Sequence, residues 1–307
     1  MFTKFHKISF AVFIVVLILL GISLRDNFQG FSVGITAGEN LSTELVQSPI
    51  IKPLELKVNF LDVGQGDAIY IRTPQEQDIL IDGGPDDKVL ESLGQVMPFW
   101  DREIDVVILS HPHADHVAGL VQILKRYTVK KIYLTGVLHT APDYLAFLEE
   151  IKKQKIPTEN IKELMTLDFG NEVELNFIYP DRSLFNEKID NLNNSSIVAR
   201  LRYKNKSFLF TGDAESPVEK ELLTKKRELN ADVLKIGHHG STTSSSEDFL
   251  KAVNPKFAVI GVGRNNSFGH PSLKTLSRLE RFNIPFFRTD LLGTITFLSD
   301  GENVWQK

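Results

Sequence analysis

The chain predicts a four-layer α/β/β/α sandwich, and three observations carry that prediction. Beyond residue 54, short apolar runs alternate with amphipathic stretches, the signature of strands interleaved with helices. The strands fall into two blocks, each with helical stretches able to cover one face of a sheet. The roughly 250 residues concerned suffice for one sizeable core, so residues 54–307 are expected to form a single domain without a second globular one.

In the first block, strands are expected near 55–62, 67–72 and 77–82, a helix near 87–96, and a strand over 104–109, Ile104-Asp105-Val106-Val107-Ile108-Leu109. A helix over 116–127, a strand near 130–134 and a helix near 141–153 follow. The second block opens on a hairpin-like run from 172 to 211, containing Glu172–Tyr179, Ser196–Tyr203 and Ser207–Phe210. Then come a strand at 232–236, a helix over 247–252, a strand at 257–261, a helix over 272–282 and a closing strand at 293–298. No internal repeat interrupts this order.

The segment Ser110-His111-Pro112-His113-Ala114-Asp115-His116 places four potential metal ligands directly after the apolar strand 104–109. Such a strand delivers the following loop rigidly to a sheet edge, where His111 and His113 can face one point and Asp115 and His116 a second. Four such groups held close without a cation would leave unpaired polar atoms at a cost of kcal/mol each. Mixed imidazole and carboxylate donors suit Zn²⁺, Mn²⁺ or Fe²⁺ and leave room for water, as a catalytic site requires. Asp213 follows the apolar run Phe208-Leu209-Phe210 and Gly212; a turn or helix-capping residue ahead of Pro217 is its lesser alternative reading.

His111-x-His113-x-Asp115-His116 resembles the signature of the metallo-β-lactamase fold superfamily of hydrolases. Phe60-Leu61-Asp62-Val63-Gly64-Gln65-Gly66-Asp67-Ala68, Ile79-Leu80-Ile81-Asp82-Gly83-Gly84, Phe210-Thr211-Gly212-Asp213 and Lys235-Ile236-Gly237-His238-His239-Gly240-Ser241 are similar to the ComEC-like, competence-type subgroup, whose hydrolase domain ends a DNA-uptake channel. The likeness runs from about Glu55 to about Leu298. It implies the same four-layer fold and two divalent ions, Zn²⁺ or Mn²⁺, with Asp213 bridging them. The first ion would take His111, His113 and Asp213, and the second Asp115, His116, Asp213 and His238. His239 is expected to point elsewhere, toward substrate, because adjacent side chains diverge. Many superfamily members supply a further His before the bridging Asp. Here Asn193-Asn194-Ser195-Ser196 stands at that place, which leaves the first site short of nitrogen and favours Mn²⁺ without excluding Zn²⁺.

Arg264-Asn265-Asn266-Ser267-Phe268-Gly269-His270-Pro271 follows the strand 257–261 and is expected at the same sheet edge, with His270 steadying a phosphate or protonating a leaving group. The candidate substrate-binding residues are Asn194, Ser195, His239, Ser241, Arg264 and His270; the candidate catalytic residues are Asp115, Asp213 and His270. Ser241–Ser246 reads as a flexible loop or as a hydroxyl-lined phosphate contact.

The N-terminus has its own logic. Residues 1–7 are basic, with Lys4 and Lys7, and 8–24 are apolar and uncharged, about 25 Å long as a helix. An uncleaved single-pass anchor is expected, with a cleaved signal peptide and a secreted product as the rival. Retained lysines would leave the enzyme outside the cytoplasmic membrane, tethered by the polar stretch 25–53.

The chain has no cysteine, which excludes disulfides and thiolate chemistry, and a net charge of −4, which gives no overall basic footprint for nucleic acid. Neither a Gly-x-Ser-x-Gly elbow nor a phosphate-binding Gly-x-x-x-x-Gly-Lys loop occurs, so no nucleotide cofactor is expected. The expected function is metal-dependent phosphodiester hydrolysis, with DNA as substrate by the resemblance. The channel's many membrane segments and its small nucleic-acid-binding barrel have no counterpart, so the chain is not expected to conduct DNA. A cell-surface phosphocholine or teichoic-acid esterase and a non-catalytic, metal-stabilised binding module are the alternatives.

Overall fold

The computed structural model describes residues 55–307, a mixed α/β fold of two sheets and their helices. The basic start, the apolar run 8–24 and the linker 25–53 lie outside the described residues. Among the described residues no helix is long and apolar enough to cross a membrane.

The first sheet contains β1 (Leu56–Phe60), β2 (Ile69–Arg72), β3 (Asp78–Ile81), β4 (Glu103–Ile108), β5 (Thr128–Leu134) and β6 (Thr158–Asn160), continued beyond β1 by the C-terminal strands β14 (Ile295–Ser299) and β15 (Val304–Gln306). The second sheet runs from β7 (Met165–Asp168) through β8 (Val173–Tyr179), β9 (Val198–Tyr203), β10 (Lys206–Phe210), β11 (Val233–Lys235) and β12 (Phe257–Ile260) to β13 (Phe286–Arg288). Strand alternation sorts the apolar side chains into layers. In β3, Ile79 and Ile81 enter the core between the sheets with Phe177, Phe208 and Phe210, whereas Leu80 faces the helices. Those helices are α1 (Lys88–Val96), α2 (Ala114–Arg126) and α3 (Pro142–Gln154), packing through Leu93, Leu120 and Phe147. On the other side α4 (Ser216–Thr224), α5 (Glu247–Val253) and α6 (Leu273–Arg281) cover Leu209, Leu234 and Ile260 through Val218, Phe249 and Leu279. Three apolar layers between four structural ones give the expected sandwich.

The hairpin-like run is a meander of β8, β9 and β10, broken by a 3-10 turn at Leu192–Ser195. Helix α4, the short helix α7 (Thr289–Leu292) and strands β6, β7, β13 and β15 carry too little apolar pattern to be read in advance. Pairing with a neighbouring strand, rather than their own residues, makes these short edge segments strands. Helix α2 begins at Ala114, two residues earlier than expected. Asp115 and His116 therefore stand in its first turn, and only His111 and His113 belong to the preceding loop.

Gly119 sets how closely that turn approaches the sheet. A Cβ there would lie 1.9 Å from the Gly83 carbonyl oxygen, while Gly119 N donates to Gly84 O at 3.0 Å and Gly83 N to His116 O at 2.8 Å. Gly119→Ala must push α2 off the Gly83-Gly84 turn. It is expected to cost about 2–3 kcal/mol, lowering the melting temperature of a domain this size by roughly 5–10 °C in a thermal unfolding scan.

Candidate metal centre

Parallel strands of both sheets end on one edge, and their following loops carry the polar residues that meet there: Asp82 after β3, 110–116 after β4, 211–213 after β10, 236–239 after β11 and 261–270 after β12. Asp67 joins them from the loop between β1 and β2. Asp67, His116, Asp213 and His239 are all buried, and each offers one ligand atom within 4.8 Å of the others.

His116 shows how the site is prepared for a cation. Its Nδ1 lies 2.8 Å from Asp82 Oδ2, and that carboxylate also accepts from Ser110 N at 2.7 Å and Ser110 Oγ at 2.6 Å. The carboxylate fixes the Nδ1–H tautomer and turns the Nε2 lone pair toward the cluster. Nε2 is buried without a hydrogen-bond partner, 3.4 Å from Asp213 Oδ2 and 3.9 Å from Asp115 Oδ2. His239 is built the same way. Its Nδ1 lies 2.8 Å from the Gly261 carbonyl, which can only accept, so Nε2 carries the lone pair, 3.1 Å from Asp115 Oδ2 and 3.4 Å from Asp213 Oδ2.

Burial alone would lower the His116 and His239 imidazoles, yet the surrounding carboxylates, Asp213 foremost, hold both well above the ordinary histidine range. Proton and divalent cation compete for the same lone pairs in that field. His111 goes the other way: burial, reinforced by His116, pushes it well below the usual range, so it is neutral. Its Nε2 lies 3.0 Å from His113 Nδ1, and its ring packs against His116, tilted by 54° with 4.2 Å between centroids. Two imidazole lone pairs and two carboxylates within one ion's reach, beside a second imidazole pair, fit a divalent transition metal.

The arrangement sorts the expected residues. His111, His113, Asp115, His116 and Asp213 meet at this edge, and the structure brings His239 rather than His238 into the cluster. The reason is local. The strand ends at Lys235, and both histidines adopt left-handed backbone conformations in a 3-10 turn, φ 49° and 52°, where strand alternation no longer applies. His238 is half-buried, its Nδ1 3.1 Å from Glu215 Oε1 and 3.2 Å from Thr243 Oγ1, with Nε2 4.0 Å from Asp213 Oδ2.

Three of the expected substrate contacts are committed to the protein itself. Asn194 Oδ1 accepts from Glu215 N, the Ser195 hydroxyl donates to Leu192 O at 2.7 Å, and buried Ser241 pairs with Thr243. Nor is 241–246 a loose loop: Arg278 donates to Ser244 O at 3.0 Å and the Glu219 carboxylate accepts from Ser246 N at 2.9 Å. Arg264 is exposed and lines a neighbouring cavity, whereas His270 is half-buried. His270 packs 5.3 Å from the His238 ring, and its Nδ1 has no partner.

Asp67, Asp82 and Lys235 were missed as site residues. Lys235 is 1% exposed, with Nζ against the Asp67 carboxylate, 2.9 Å from Gly212 O and 3.6 Å from Asp213 Oδ1. Burial disfavours its charge, but Asp67 and then Asp213 raise it, so the ammonium is a fixed internal cation. A lysine inside the apolar strand 233–236, and an aspartate closing the run Ile79-Leu80-Ile81, were the signals available.

The family described as the metallo-beta-lactamase superfamily matches residues 61–264. The chain is similar to ComE operon protein 3 of Bacillus subtilis, 31% identical over 260 residues covering 79% of this chain and 33% of that protein. It is similar to Competence protein ComA of Neisseria gonorrhoeae at 30% over 248 residues, 79% of this chain and 32% of that one. It thus spans about a third of the length of these curated relatives. Among solved structures, CmlA, a diiron beta-hydroxylase from Streptomyces venezuelae, matches at 15% identity with a TM-score of 0.50, over 80% of this chain and 54% of that one, a likeness of fold alone.

Proposed function

The chain belongs to the metallo-β-lactamase superfamily of metal-dependent hydrolases, and from that premise we propose that it hydrolyses phosphodiester bonds, acting on a DNA strand outside the cytoplasmic membrane. The observation that carries the reading is the position of the cluster: Asp213 opens from it into a groove of about 600 Å³ that His113, Asp115 and His238 also line, with Lys88 beside them. Lys88 is paired with Asp62 at 2.8 Å and Asp86 lines the groove beside it, so it is the open shape over the cluster, rather than a cationic rim, that gives a polymeric chain access. Similarity to relatives named for competence supports DNA as the polymer.

Divalent ions at such a centre supply Lewis-acid charge and a water acidified toward neutral pH. His116, His239, Asp67, Asp115 and Asp213 would hold one ion, and His111 and His113, with Asp213, a second. Asp82 holds His116 in the ligating tautomer, and the Lys235 ammonium keeps Asp67 and Asp213 oriented as carboxylates. Burial, then the neighbouring His238, lowers His270 from the ordinary histidine range. It is therefore neutral at pH 7, and its role is to orient a phosphate oxygen rather than to protonate a leaving group. The apolar run 8–24, as an anchor, would place this groove on the outer side of the membrane.

The test uses the full chain, stripped with chelator and reloaded with Mn²⁺ or Zn²⁺, on DNA, a generic phosphodiester and a phosphocholine ester. DNA and the generic diester should be hydrolysed only after reloading. Hydrolysis of the phosphocholine ester alone would favour the surface-esterase alternative, and binding of polyanions without hydrolysis the binding module.

A further inference from the structure

The loop from Arg264 to His270 is a built feature, not a slack crossing. Asn266 uses both ends of its side-chain amide: Nδ2 donates to Gly263 O at 3.0 Å and His270 O at 2.6 Å, while Oδ1 accepts from Phe268 N at 3.2 Å and His270 N at 3.0 Å. This four-bond clasp holds the Phe268 ring against His270, 6.0 Å between centroids and 23° between planes. His270 in turn packs 6.4 Å from His239, so Phe268 is two ring contacts from the metal-ligating cluster. Yet Phe268 is 68% exposed and lines the same groove as Asp115 and Asp213. A large apolar ring held open to water at the lip of a polar groove, with one face backed and the other free, is organised for a planar partner.

In the adjoining cavity Asp62 pairs with Lys88 and Asp290 with Arg288, which leaves Arg264 as the unpaired charge among its lining residues. The groove meets a second cavity of about 410 Å³ at Gly64, Gln65 and Lys88, and Arg264 lines that cavity. The Arg264 guanidinium donates to the Asp290 carbonyl at 3.2 and 3.0 Å, and among the described residues no carboxylate pairs with it. Its position is fixed while its charge stays available to an anion.

We propose that Phe268 is the stacking platform for the nucleobase adjoining the scissile phosphodiester, with Arg264 holding a neighbouring phosphate, so that the site takes single-stranded rather than duplex nucleic acid. The inference rests on the phosphodiesterase reading and names its substrate class. Bases in a duplex are already stacked on each other; only a single strand offers a free face to an aromatic ring, and such stacking tolerates any base.

The test compares a base-bearing single-stranded oligonucleotide with an abasic strand of equal length, using the metal-loaded full chain. Phe268→Ala should raise KM for the base-bearing strand about tenfold or more, leave kcat nearly unchanged and leave the abasic strand unaffected; Phe268→Trp should retain parental values. Arg264→Ala should weaken both strands alike and flatten the salt dependence. If Phe268→Ala cuts the base-bearing strand like the parent, or loses both strands equally, the stacking platform is wrong while the phosphodiesterase reading stands. If the parent cuts neither strand, the phosphodiesterase reading fails. Anisotropy of the same labelled strands then decides the stacking: equal affinity of the parent for both overturns it, and tighter binding of the base-bearing strand, lost in Phe268→Ala, supports it.

Discussion

Asp213→Asn is expected to cut metal-dependent phosphodiester hydrolysis by at least about a hundredfold, a loss of roughly 2.7 kcal/mol of transition-state stabilisation. Asp213 is buried at the centre of the site, its Oδ2 3.4 Å from Nε2 of both His116 and His239 and its Oδ1 3.6 Å from Lys235 Nζ. Its backbone is fixed independently, since Asp213 N donates to Ser196 Oγ at 3.1 Å. The substitution therefore keeps the shape and removes one negative charge where three cationic or ligating groups converge. Asparagine also presents an N–H donor toward two imidazole lone pairs if it keeps the parental rotamer. Turnover and metal content measured together check the result, and an asparagine variant as fast as the parent would remove Asp213 from the mechanism.

The two adjacent histidines should part company under substitution. His239→Ala is expected to strip the purified protein of most of one metal equivalent and to lower hydrolysis at least about a hundredfold, because its Nε2 lone pair is aimed between Asp115 and Asp213 by the bond from Nδ1 to Gly261 O. His238→Ala should leave metal content close to the parent's, since that ring is half-buried and engaged with Glu215 and Thr243. Metal analysis of the two purified variants is sufficient. The reverse outcome, metal lost with His238 and kept with His239, would return the ligand role to the residue that the strand pattern favours.

The contrast between these neighbours marks where legibility ended. The ligand cluster at 111–116 is local in sequence and follows a buried strand, so its chemistry is readable from residue types and spacing alone. The choice between His238 and His239 depends on two left-handed residues in a turn, and no alternation rule extends past the end of a strand. Asp67 and Lys235 were less legible still. They lie 168 residues apart by number, and only the meeting of the two sheets sets the Lys235 ammonium against the Asp67 carboxylate. The serines and Asn194 illustrate the converse error. Their polar groups look available in sequence, yet a buried hydroxyl or amide must find a partner, and here the partners are the protein's own backbone and side chains.

Periodicity and residue chemistry were enough for the layered fold and the candidate metal-ligand segment, and motif resemblance for the superfamily, because each of these is carried by neighbours along the chain: period-2 runs select strands and a four-ligand turn selects cations. Short edge strands, which histidine of the 238–239 pair enters the cluster, the internal Lys235 cation and the presentation of Phe268 were decided by tertiary structure. Each depends on groups distant in sequence or on a loop conformation, and it is the burial and pairing available at the shared sheet edge that determines which polar atoms are used and which remain free.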